Sequence, residues 1–401
     1  MPANNRYLIV TPAYPPPFVG GSRVWTYNMV ENCPENFDIL TSAMPAGYGE
    51  VSSPRHRVFR SRYIWNTLNG DPGLIDLFVS YAYILLWVIQ RLISVKYDAV
   101  IAGGETFVNG LLFLVGKCFR VPVIGLGNTE EFTIPLKGRG LKNFIKRQWM
   151  KFTHKRATGF VAVCHFCRDV LSSIGIDAQR IDVVPSSINA GKLKPREKDR
   201  PWGHNVLSVG RLVERKGFHY LIEAVYLLKD ELTDIKLTIV GDGPFKPIVL
   251  EKIKSLELAG RVSLRGQLND DELCKLYRES DLFVLAHMML ENGDTEGCPT
   301  VFSEASGNGL PVIGGTGGGA STAIVEGKTG FVVDSRDVQG LASKIKKILT
   351  NPRLAEEMGR AGIEKVKRDH LPQKTGLCFS ESIRRLANST GGVAGLSGLW
   401  G

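Results

Sequence analysis

The stretch YLIVTPAYPPPFVGGS, residues 7–22, decides the fold class. Tyr7–Thr11 is an apolar strand of the kind that a parallel sheet buries on both faces. The prolines that follow forbid helix, and Gly20 and Gly21 permit close approach of the backbone. A helix is predicted next, from about Arg23 to Glu31. An apolar strand, a tight turn and a helix form the first unit of a βα repeat.

The same unit recurs along the chain in two series, which predicts an α/β protein with two doubly wound parallel sheets. The first series continues with strands predicted at Asp98–Ala102, Val121–Leu126, Gly159–Val163 and Ile181–Val184. The second series has strands predicted at Asn205–Val209, Leu237–Val240, Val262–Arg265, Leu282–Ala286, Pro311–Gly314 and Gly330–Val333.

The segment AGKLKPREKDRPWG, residues 190–203, separates the two series because it is charged, contains two prolines and lacks periodicity. Two halves of similar size, facing each other across a hinge, would place a ligand cleft outside the carboxyl ends of the strands. The predicted organisation is an N-terminal domain at 1–190, a linker at 191–203, a C-terminal domain at 204–375, a helix at 376–390 that returns to the N-terminal domain, and a flexible tail at 391–401.

Composition excludes disordered and collagen-like proteins, since 43% of the 401 residues are hydrophobic and 22% are charged. Lys and Arg number 50 against 40 acidic residues, and residues 1–200 hold the whole excess, with 25 basic and 15 acidic side chains. This asymmetry indicates that the first half meets something anionic, such as a membrane surface, a phosphorylated acceptor or nucleic acid. Seven scattered cysteines and an N-terminus without a leader pattern predict a cytoplasmic protein.

The most informative motif is EGCPTVFSEAS at 296–306. Glu296 lies in a Gly/Pro loop and Glu304 in a predicted helix. A loop that enters a helix presents free N–H groups that suit phosphate, and a carboxylate one turn further on suits a vicinal diol such as ribose. The structural alternative is a helix start with acidic residues in its first turns, which the helix dipole favours.

A second motif, VGRLVERKG at 209–217, places two cations just beyond a strand. Arg211 as a fork and Lys216 as a point charge can clamp a diphosphate, although a solvated basic loop is the alternative. The turn PPPFVGGS at 15–22 could also contact phosphate or simply be a tight turn. Neither it nor GGTGGG at 314–319 matches G-x-G-x-x-G, which argues against a nicotinamide cofactor.

In this order the motifs resemble the retaining glycosyltransferases of the GT-B fold, specifically glycosyltransferase family 4 (group 1). The resemblance covers nearly the whole chain, and its further motifs are VVPSSIN at 183–189, GDGP at 241–244, LRGQL at 264–268, GLPVIG at 309–314 and GKTGFVV at 327–333. It implies two Rossmann-like domains facing across a cleft, with the acceptor site in the first domain and a nucleotide-sugar site in the second.

The resemblance also implies roles for individual residues. The catalytic set would be Arg211, Lys216 and Glu296. The cations would neutralise the charge that develops on the leaving diphosphate, which is electrostatic stabilisation of the transition state without a metal. The other implied donor contacts are Glu304 on the ribose, the backbone near Gln267 and Leu268 on the base, the amides near Thr300 and Val301 beside the donor sugar, and Gly20 and Gly21 on the diphosphate.

The sequence departs from the family pattern at Gly127, where many members carry a His that contacts the donor sugar. Either Asn128 or Glu130 compensates, or the sugar is held differently. Asn128, Glu130 and Arg168 are the acceptor-side candidates.

The implied reaction is hexose transfer from a nucleotide diphosphate sugar, with UDP favoured, to a hydroxyl of a lipid-linked or glycan acceptor. No cofactor and no metal are expected, and the chain has no Asp-x-Asp motif. Front-face displacement would retain the anomeric configuration. The alternatives are a weak or inactive GT-B nucleotide-sugar-binding protein and a GT-B nucleotide-sugar epimerase, whereas nucleic acid is not an expected partner.

The segment 137–156 holds eight cations and no acid. An apolar stripe recurs within it at helical spacing, as in a helix that lies at a membrane interface. The alternative is a surface helix that packs this stripe on its own domain. The first interpretation predicts an anionic membrane surface as a partner and a peripheral location at the inner face of the membrane. A second apolar stretch, Phe78–Val95, is predicted to be a buried core helix. The stripe consists of Leu141, Phe144, Ile145, Trp149 and Phe152.

Overall fold

The computed structural model describes residues 5–12, 14–16, 21–44, 55–65, 72–197 and 200–389. The chain forms two compact units. The first combines Met1–Val163, Cys167–Val184 and Pro372–Gly401, and the second combines Cys164–Phe166 and Pro185–Leu371. Each unit is an α/β domain built on one parallel sheet, which confirms the predicted fold class.

The sheet of the first unit has the strand order β3-β2-β1-β4-β5-β6-β7, with every pair parallel. Two of its strands, β2 and β3, were not predicted because charged residues interrupt them. Asp38 of β2 is buried and accepts from three arginines, so its charge is compensated inside the sheet. The strands are β1 (Arg6–Val10), β2 (Asn36–Ser42), β3 (Arg57–Ser61), β4 (Ala99–Ala102), β5 (Val123–Gly127), β6 (Gly159–Ala162) and β7 (Ile181–Val183).

Seven α-helices are described in the first unit, of which α6 has its first two residues in the second unit, and the last of the seven comes from the C-terminal end of the chain. They are α1 (Gly21–Asn32), α2 (Leu74–Ser94), α3 (Thr106–Phe119), α4 (Thr129–Lys137), α5 (Leu141–Thr153), α6 (His165–Ser173) and α14 (Pro372–Asn388).

The sheet of the second unit has the order β10-β9-β8-β11-β12-β13 and is also parallel. Its strands fall within one residue of the predicted ones, because each is a short apolar run bounded by polar or glycine residues. They are β8 (Asn205–Val209), β9 (Lys236–Val240), β10 (Val262–Leu264), β11 (Leu282–Leu285), β12 (Val312–Gly315) and β13 (Gly330–Val333). The helices are α7 (Phe218–Leu228), α8 (Lys246–Ser255), α9 (Asp270–Glu279), α10 (Thr300–Gly307), α11 (Ala320–Ala323), α12 (Val338–Leu349) and α13 (Pro352–Asp369).

The segment predicted as a linker, 191–203, is instead part of the second unit. The Arg196 side chain is 6% exposed and its Nη1 lies 2.8 Å from Oδ1 of the buried Asp281. The Lys194 amide donates to Asn308 Oδ1 at 2.9 Å. The charge of Arg196 and the backbone of Lys194 therefore attach the segment to the second unit.

The C-terminal helix, predicted at 376–390, is α14 and belongs to the first unit, where it packs against α1. The Ser380 hydroxyl donates to Glu35 Oε1 at 2.7 Å, and Gly376 lies directly against the backbone of Asn32. The unit borders fall at Pro185 and Pro372, compared with the predicted 190 and 376. The predicted flexible tail, 391–401, lies outside the described residues.

The prediction that Phe78–Val95 is a buried core helix is wrong. The stretch forms most of α2, but only Ser80, Ile84 and Val88 of that helix are buried. Phe78 is 74% exposed and Leu86 is 69% exposed. An all-round apolar pattern indicates what a helix can bury, whereas the number of neighbouring elements decides what it does bury.

Buried histidines predict that stability falls in mild acid. Burial lowers the pKa of His154, His287 and His370 to about 4, so the folded protein keeps them neutral while the unfolded chain protonates near pH 6.5. The free energy of unfolding that depends on neutral histidines is fully present above pH 6.5 and is lost as the pH falls toward 4. Each histidine accounts for a loss on the order of 3 kcal/mol. Burial raises the pKa of Glu131 to about 8, which acts in the opposite direction, but it is one group against three.

We therefore expect the urea midpoint to decrease steadily from pH 7 to pH 4.5. The variant His370→Gln should show a shallower decrease, because one titrating group is gone. A midpoint that does not change over this interval would contradict the prediction.

Candidate functional site

The second unit gathers most of the predicted donor residues at one edge of its sheet. They lie in the loops and helical turns that follow the carboxyl ends of β8, β10 and β11, and such ends meet at the same edge of a parallel sheet. The strand order reverses between β8 and β11, which is where α/β sheets bind ligands. The residues are Arg211, Lys216, Gln267, Leu268, Glu296, Thr300, Val301 and Glu304.

Glu296 is the centre of a charged cluster. Lys216 Nζ lies 2.9 Å from Oε2 of Glu296, and Arg215 Nε donates to Oε1 at 2.7 Å. Arg215 also contacts Asp294 Oδ2 through Nη1 at 3.2 Å. Burial disfavours the charged form of Glu296, but the cations Lys216 and Arg215 outweigh it and lower the pKa to about 2. The carboxylate is therefore ionised and fixed at both oxygens.

Two glycines let the backbone reach this geometry. Gly217, directly after Lys216, has φ 66° and lies so close to the Ala286 carbonyl that an added Cβ would meet the oxygen at 1.8 Å. In the GGTGGG run, Gly318 pairs with the backbone of Glu296, and a Cβ there would meet the Glu296 carbonyl oxygen at 2.1 Å. The run that the sequence indicated only as a tight turn therefore positions Glu296.

The helix α10 begins at Thr300, directly after Pro299, which has no capping side chain. The first amides of a helix lack partners within it, so Thr300 and Val301 present N–H groups at this edge. Further along the helix, Glu304 accepts a hydrogen bond from the Tyr277 hydroxyl at 3.1 Å. Two effects raise the pKa of Tyr277 well above its usual value, of which burial is the larger and the charge of Glu304 the smaller. The hydroxyl therefore keeps its proton and donates.

Arg211 and the base-contact candidates are more exposed. Arg211 follows β8 on the surface and forms no ion pair with any residue that the structure describes. Gln267 is exposed and Leu268 is half-buried. The structure thus brings Lys216 and Glu296 into direct contact, and it leaves Arg211 on the surface at the end of the same strand.

The first-unit candidates are less closely grouped. Asn128 precedes α4, and its Nδ2 lies 3.5 Å from Oε1 of Glu131, whereas Glu130 is exposed. Arg168 in α6 pairs with its neighbour Asp169 at 3.1 Å. Gly21 begins α1 in open space, and Gly20 lies outside the described residues.

Several residues that contact the predicted ones within each unit were not themselves predicted. Arg215 lies inside the motif at 209–217, and Asp294 lies two positions before the motif at 296–306, so both residues were close to a sequence signal. Tyr277 and Glu131 gave no local signal. Tyr277 reaches Glu304 across 27 positions, and the raised pKa of Glu131 comes from its burial.

Gly127, which stands where the family pattern has a His, has little room for a side chain. It is buried at the end of β5, and an added Cβ would lie 3.2 Å from Cys167 Sγ and 3.3 Å from Leu171 Cδ1. A side chain at this position would enter the packing of α6.

We predict that Gly127→His lowers the free energy of unfolding by about 1–3 kcal/mol, the usual cost of overpacking a core. The matched control is Gly260→His, because no atom lies within 4 Å of an added Cβ at Gly260. Urea unfolding of both variants measures the difference, and equal stability of the two would contradict the packing argument.

Comparison with solved structures defines the class of fold. The chain resembles sucrose-phosphate synthase from Thermosynechococcus elongatus, with a TM-score of 0.75 and 18% identity over 95% of this chain and 99% of that chain. It also resembles the Anabaena protein HepE in complex with UDP, with a TM-score of 0.70 and 16% identity over 95% of this chain and 100% of that chain. Two Rossmann-like units of this kind are the GT-B fold, as predicted.

Family models identify the chain more closely. Residues 19–192 match "Glycosyltransferase Family 4" and residues 195–365 match "Glycosyl transferases group 1". The chain belongs to the group 1 glycosyltransferases of family 4.

Among curated relatives, the chain is 34% identical to a GDP-mannose-dependent alpha-(1-6)-phosphatidylinositol monomannoside mannosyltransferase of Mycolicibacterium smegmatis. This match covers 193 residues, 47% of this chain and 49% of the relative. The chain thus spans about half the length of the curated relatives it matches.

Proposed function

We propose that this protein transfers a hexose from a nucleotide diphosphate sugar to a hydroxyl of a lipid-linked or glycan acceptor, with retention of the anomeric configuration and without a metal. The observation that carries the proposal is the buried ion pair between Lys216 and Glu296. It lies where the strand order of the sheet reverses, and Glu296 comes shortly before the first amides of α10. A cation and a row of amides at a helix start suit a diphosphate.

The proposed chemistry is a front-face displacement. The bond between the anomeric carbon and the diphosphate oxygen breaks, and the acceptor oxygen forms the new bond on the same face. The acceptor proton passes to an oxygen of the leaving phosphate. Lys216 and Arg211 supply positive charge to that leaving group, which is the role that a metal ion plays in other transferases.

The fixed carboxylate of Glu296 supports a role in positioning the sugar. With both oxygens held by cations and a pKa of about 2, it stays an acceptor for sugar hydroxyls at every physiological pH. Glu304, held by Tyr277, would accept from the ribose hydroxyls.

The names of similar proteins support the substrate classes. The Mycolicibacterium relative is named for a GDP-mannose donor and a phosphatidylinositol monomannoside acceptor, and the Anabaena structure holds UDP. The resemblance of the sequence motifs favours UDP as the nucleotide of the donor. UDP and GDP are therefore the two nucleotides to compare directly.

Calorimetric titration with UDP, GDP and ADP tests the donor site. We expect one nucleotide to bind more tightly than the other two, with the same constant in the presence of EDTA. Arg211→Ala and Glu304→Ala should each weaken it by about 10- to 100-fold, because each removes a hydrogen bond to a charged group. The matched controls are Arg353→Ala and Glu357→Ala, an exposed pair on α13 that should leave binding unchanged.

If no nucleotide binds, or if the site variants behave like the controls, the donor assignment fails.

If one nucleotide binds, turnover of the matching nucleotide sugar separates an enzyme from a binding protein. Recovery of the same sugar in the product, with its configuration retained, separates a transferase from an epimerase.

A further inference from the structure

Helix α2 presents a continuous apolar face away from its own unit. Its buried residues Ser80, Ile84 and Val88 recur every four positions on one side. The opposite side carries no charged residue over about 27 Å, at 1.5 Å per residue. The exposed apolar residues of α2 are Leu74, Ile75, Phe78, Val79, Leu86 and Ile93, with exposed fractions from 41% to 87%.

Helix α5 adds a second apolar face, and this one is bordered by cations. Leu141, Phe144, Ile145 and Phe152 are 47% to 73% exposed, so most of the stripe does not pack on its own domain. On a helical projection Lys142 lies on one border of this face, and Arg147 and Lys151 lie on the other. The guanidinium of Arg147 is 5.7 Å from the centre of the Phe144 ring, and that of Arg156 is 3.9 Å from the centre of Phe152.

The two helices belong to one part of the unit, because both pack against α3. Helix α2 has 21 residues, and its most apolar stretch of 18 residues has a mean hydropathy of 1.6, which is the length and composition of a membrane-spanning helix. Only 17% of that stretch is buried. It is nevertheless fixed to the domain, since Arg91 Nη2 lies 2.8 Å from the buried Asp38 Oδ2. A helix that is tied to a sheet along one side can enter an interface only with its other side.

We propose that the exposed apolar residues of α2 and α5, together with the cations of 137–156, form one docking surface for an anionic lipid bilayer. The apolar side chains would enter the boundary between headgroups and acyl chains, and the cations would lie at the level of the lipid phosphates. We call this surface the α2–α5 face.

Charge distinguishes a bilayer from a second copy of the chain as the occupant. A symmetric dimer brings the same patch of both subunits together, so eight cations without an acid would meet eight more. A coiled-coil seam is also a narrow apolar stripe with charged borders, whereas the exposed side of α2 is broad and uncharged. An anionic bilayer satisfies both the apolar width and the basic charge.

The inference goes beyond the proposed function and does not depend on the donor site. The proposed nucleotide site lies in the second unit, so titration of UDP or GDP and binding to vesicles can fail separately. A bilayer partner would also place the protein where a lipid-linked acceptor resides.

The experiment is co-sedimentation of the full chain with vesicles of phosphatidylcholine alone or mixed with phosphatidylglycerol. We expect clear binding to the mixed vesicles that weakens with salt. Lys142→Gln/Lys151→Gln should bind them about 25-fold more weakly, since each surface cation contributes about fivefold. Ile75→Ser/Phe78→Ser/Leu86→Ser should bind both vesicle types at least tenfold more weakly.

Matched controls in the second unit are Ile248→Ser/Leu250→Ser and Lys254→Gln/Lys328→Gln, which remove exposed residues of the same types. They should bind like the wild type, and urea midpoints should show that every variant is folded. The proposal is overturned if the wild type does not bind the mixed vesicles, or if the face variants bind as the controls do. Sedimentation velocity that shows a dimer, dissociated by the α2 substitutions, would overturn it in favour of a second copy.

Discussion

Lys216→Ala should lower the rate of sugar transfer by about 10²- to 10³-fold, the usual loss when one charge-stabilising donor is removed from a transition state. Lys216 is 8% exposed and its ammonium lies against Glu296, so no water-exposed cation can replace it without rearrangement. The exposed Arg211 would remain, which explains why we expect a residual rate. Initial rates with the nucleotide sugar identified by titration provide the measurement.

Stability and catalysis can be separated with a second substitution. Lys216→Ala alone leaves Glu296 with Arg215 as its close cationic partner, so the pKa of Glu296 should rise from about 2 and the unit should lose stability. Lys216→Ala/Glu296→Gln removes both charges and should recover stability, but not transfer. The control is Lys275→Ala, an exposed lysine of the same unit. Because Glu296→Gln also removes a proposed sugar contact, the single variant Glu296→Gln is measured beside the double variant. A double variant that transfers as fast as Glu296→Gln alone would show that Lys216 acts only on folding.

The largest effect on stability is expected at Asp38 in the first unit. This carboxylate is 2% exposed and accepts from Arg6 at 3.0 Å, Arg57 at 2.9 Å, Arg91 at 2.8 Å and the Tyr97 hydroxyl at 2.5 Å. Asp38→Ala leaves three cations around a buried site without a counter-charge. Removing one partner of a buried ion pair costs about 3–5 kcal/mol, and because Arg6 and Arg57 are 34% and 59% exposed, we expect a loss of about 3 kcal/mol, at the lower end of this range.

Urea unfolding followed by circular dichroism measures this loss. Asp230→Ala is the matched control, since Asp230 forms an exposed pair with Lys229 and such pairs contribute roughly 0–1 kcal/mol. A loss at Asp38 no larger than that of the control would mean that the arginines find other partners. Because Arg91 also fixes α2, Asp38→Ala should in addition increase amide exchange in that helix.

Local patterns predicted the second unit well because its strands are short apolar runs with clear borders. The two unpredicted strands of the first unit have a different cause. Asp38 interrupts β2 and arginines interrupt β3, and only the ion pairs among them explain why charges lie in or beside a sheet. Sequence periodicity does not contain these pairings, since Asp38 and Arg91 are 53 positions apart.

For the candidate site, the motifs identified Lys216 and Glu296 separately as charged groups beyond strand ends. They did not show that the two form a pair, or that Arg215 holds the other oxygen of Glu296 across 81 positions. The opposite holds for Gly127, where the departure from the family was visible in the sequence, but its packing against Cys167 and Leu171 was not.

The sequence by itself determined the βα order, the two-unit organisation and the chemical types of the residues in the proposed donor site, because these depend on local pattern and on the direction of parallel strands. Tertiary structure alone decided which charges compensate each other and which apolar faces remain exposed. Helix α2 shows the reason most directly. Its composition would suit a core, but burial requires neighbouring elements on all sides, and its buried residues lie on a single side.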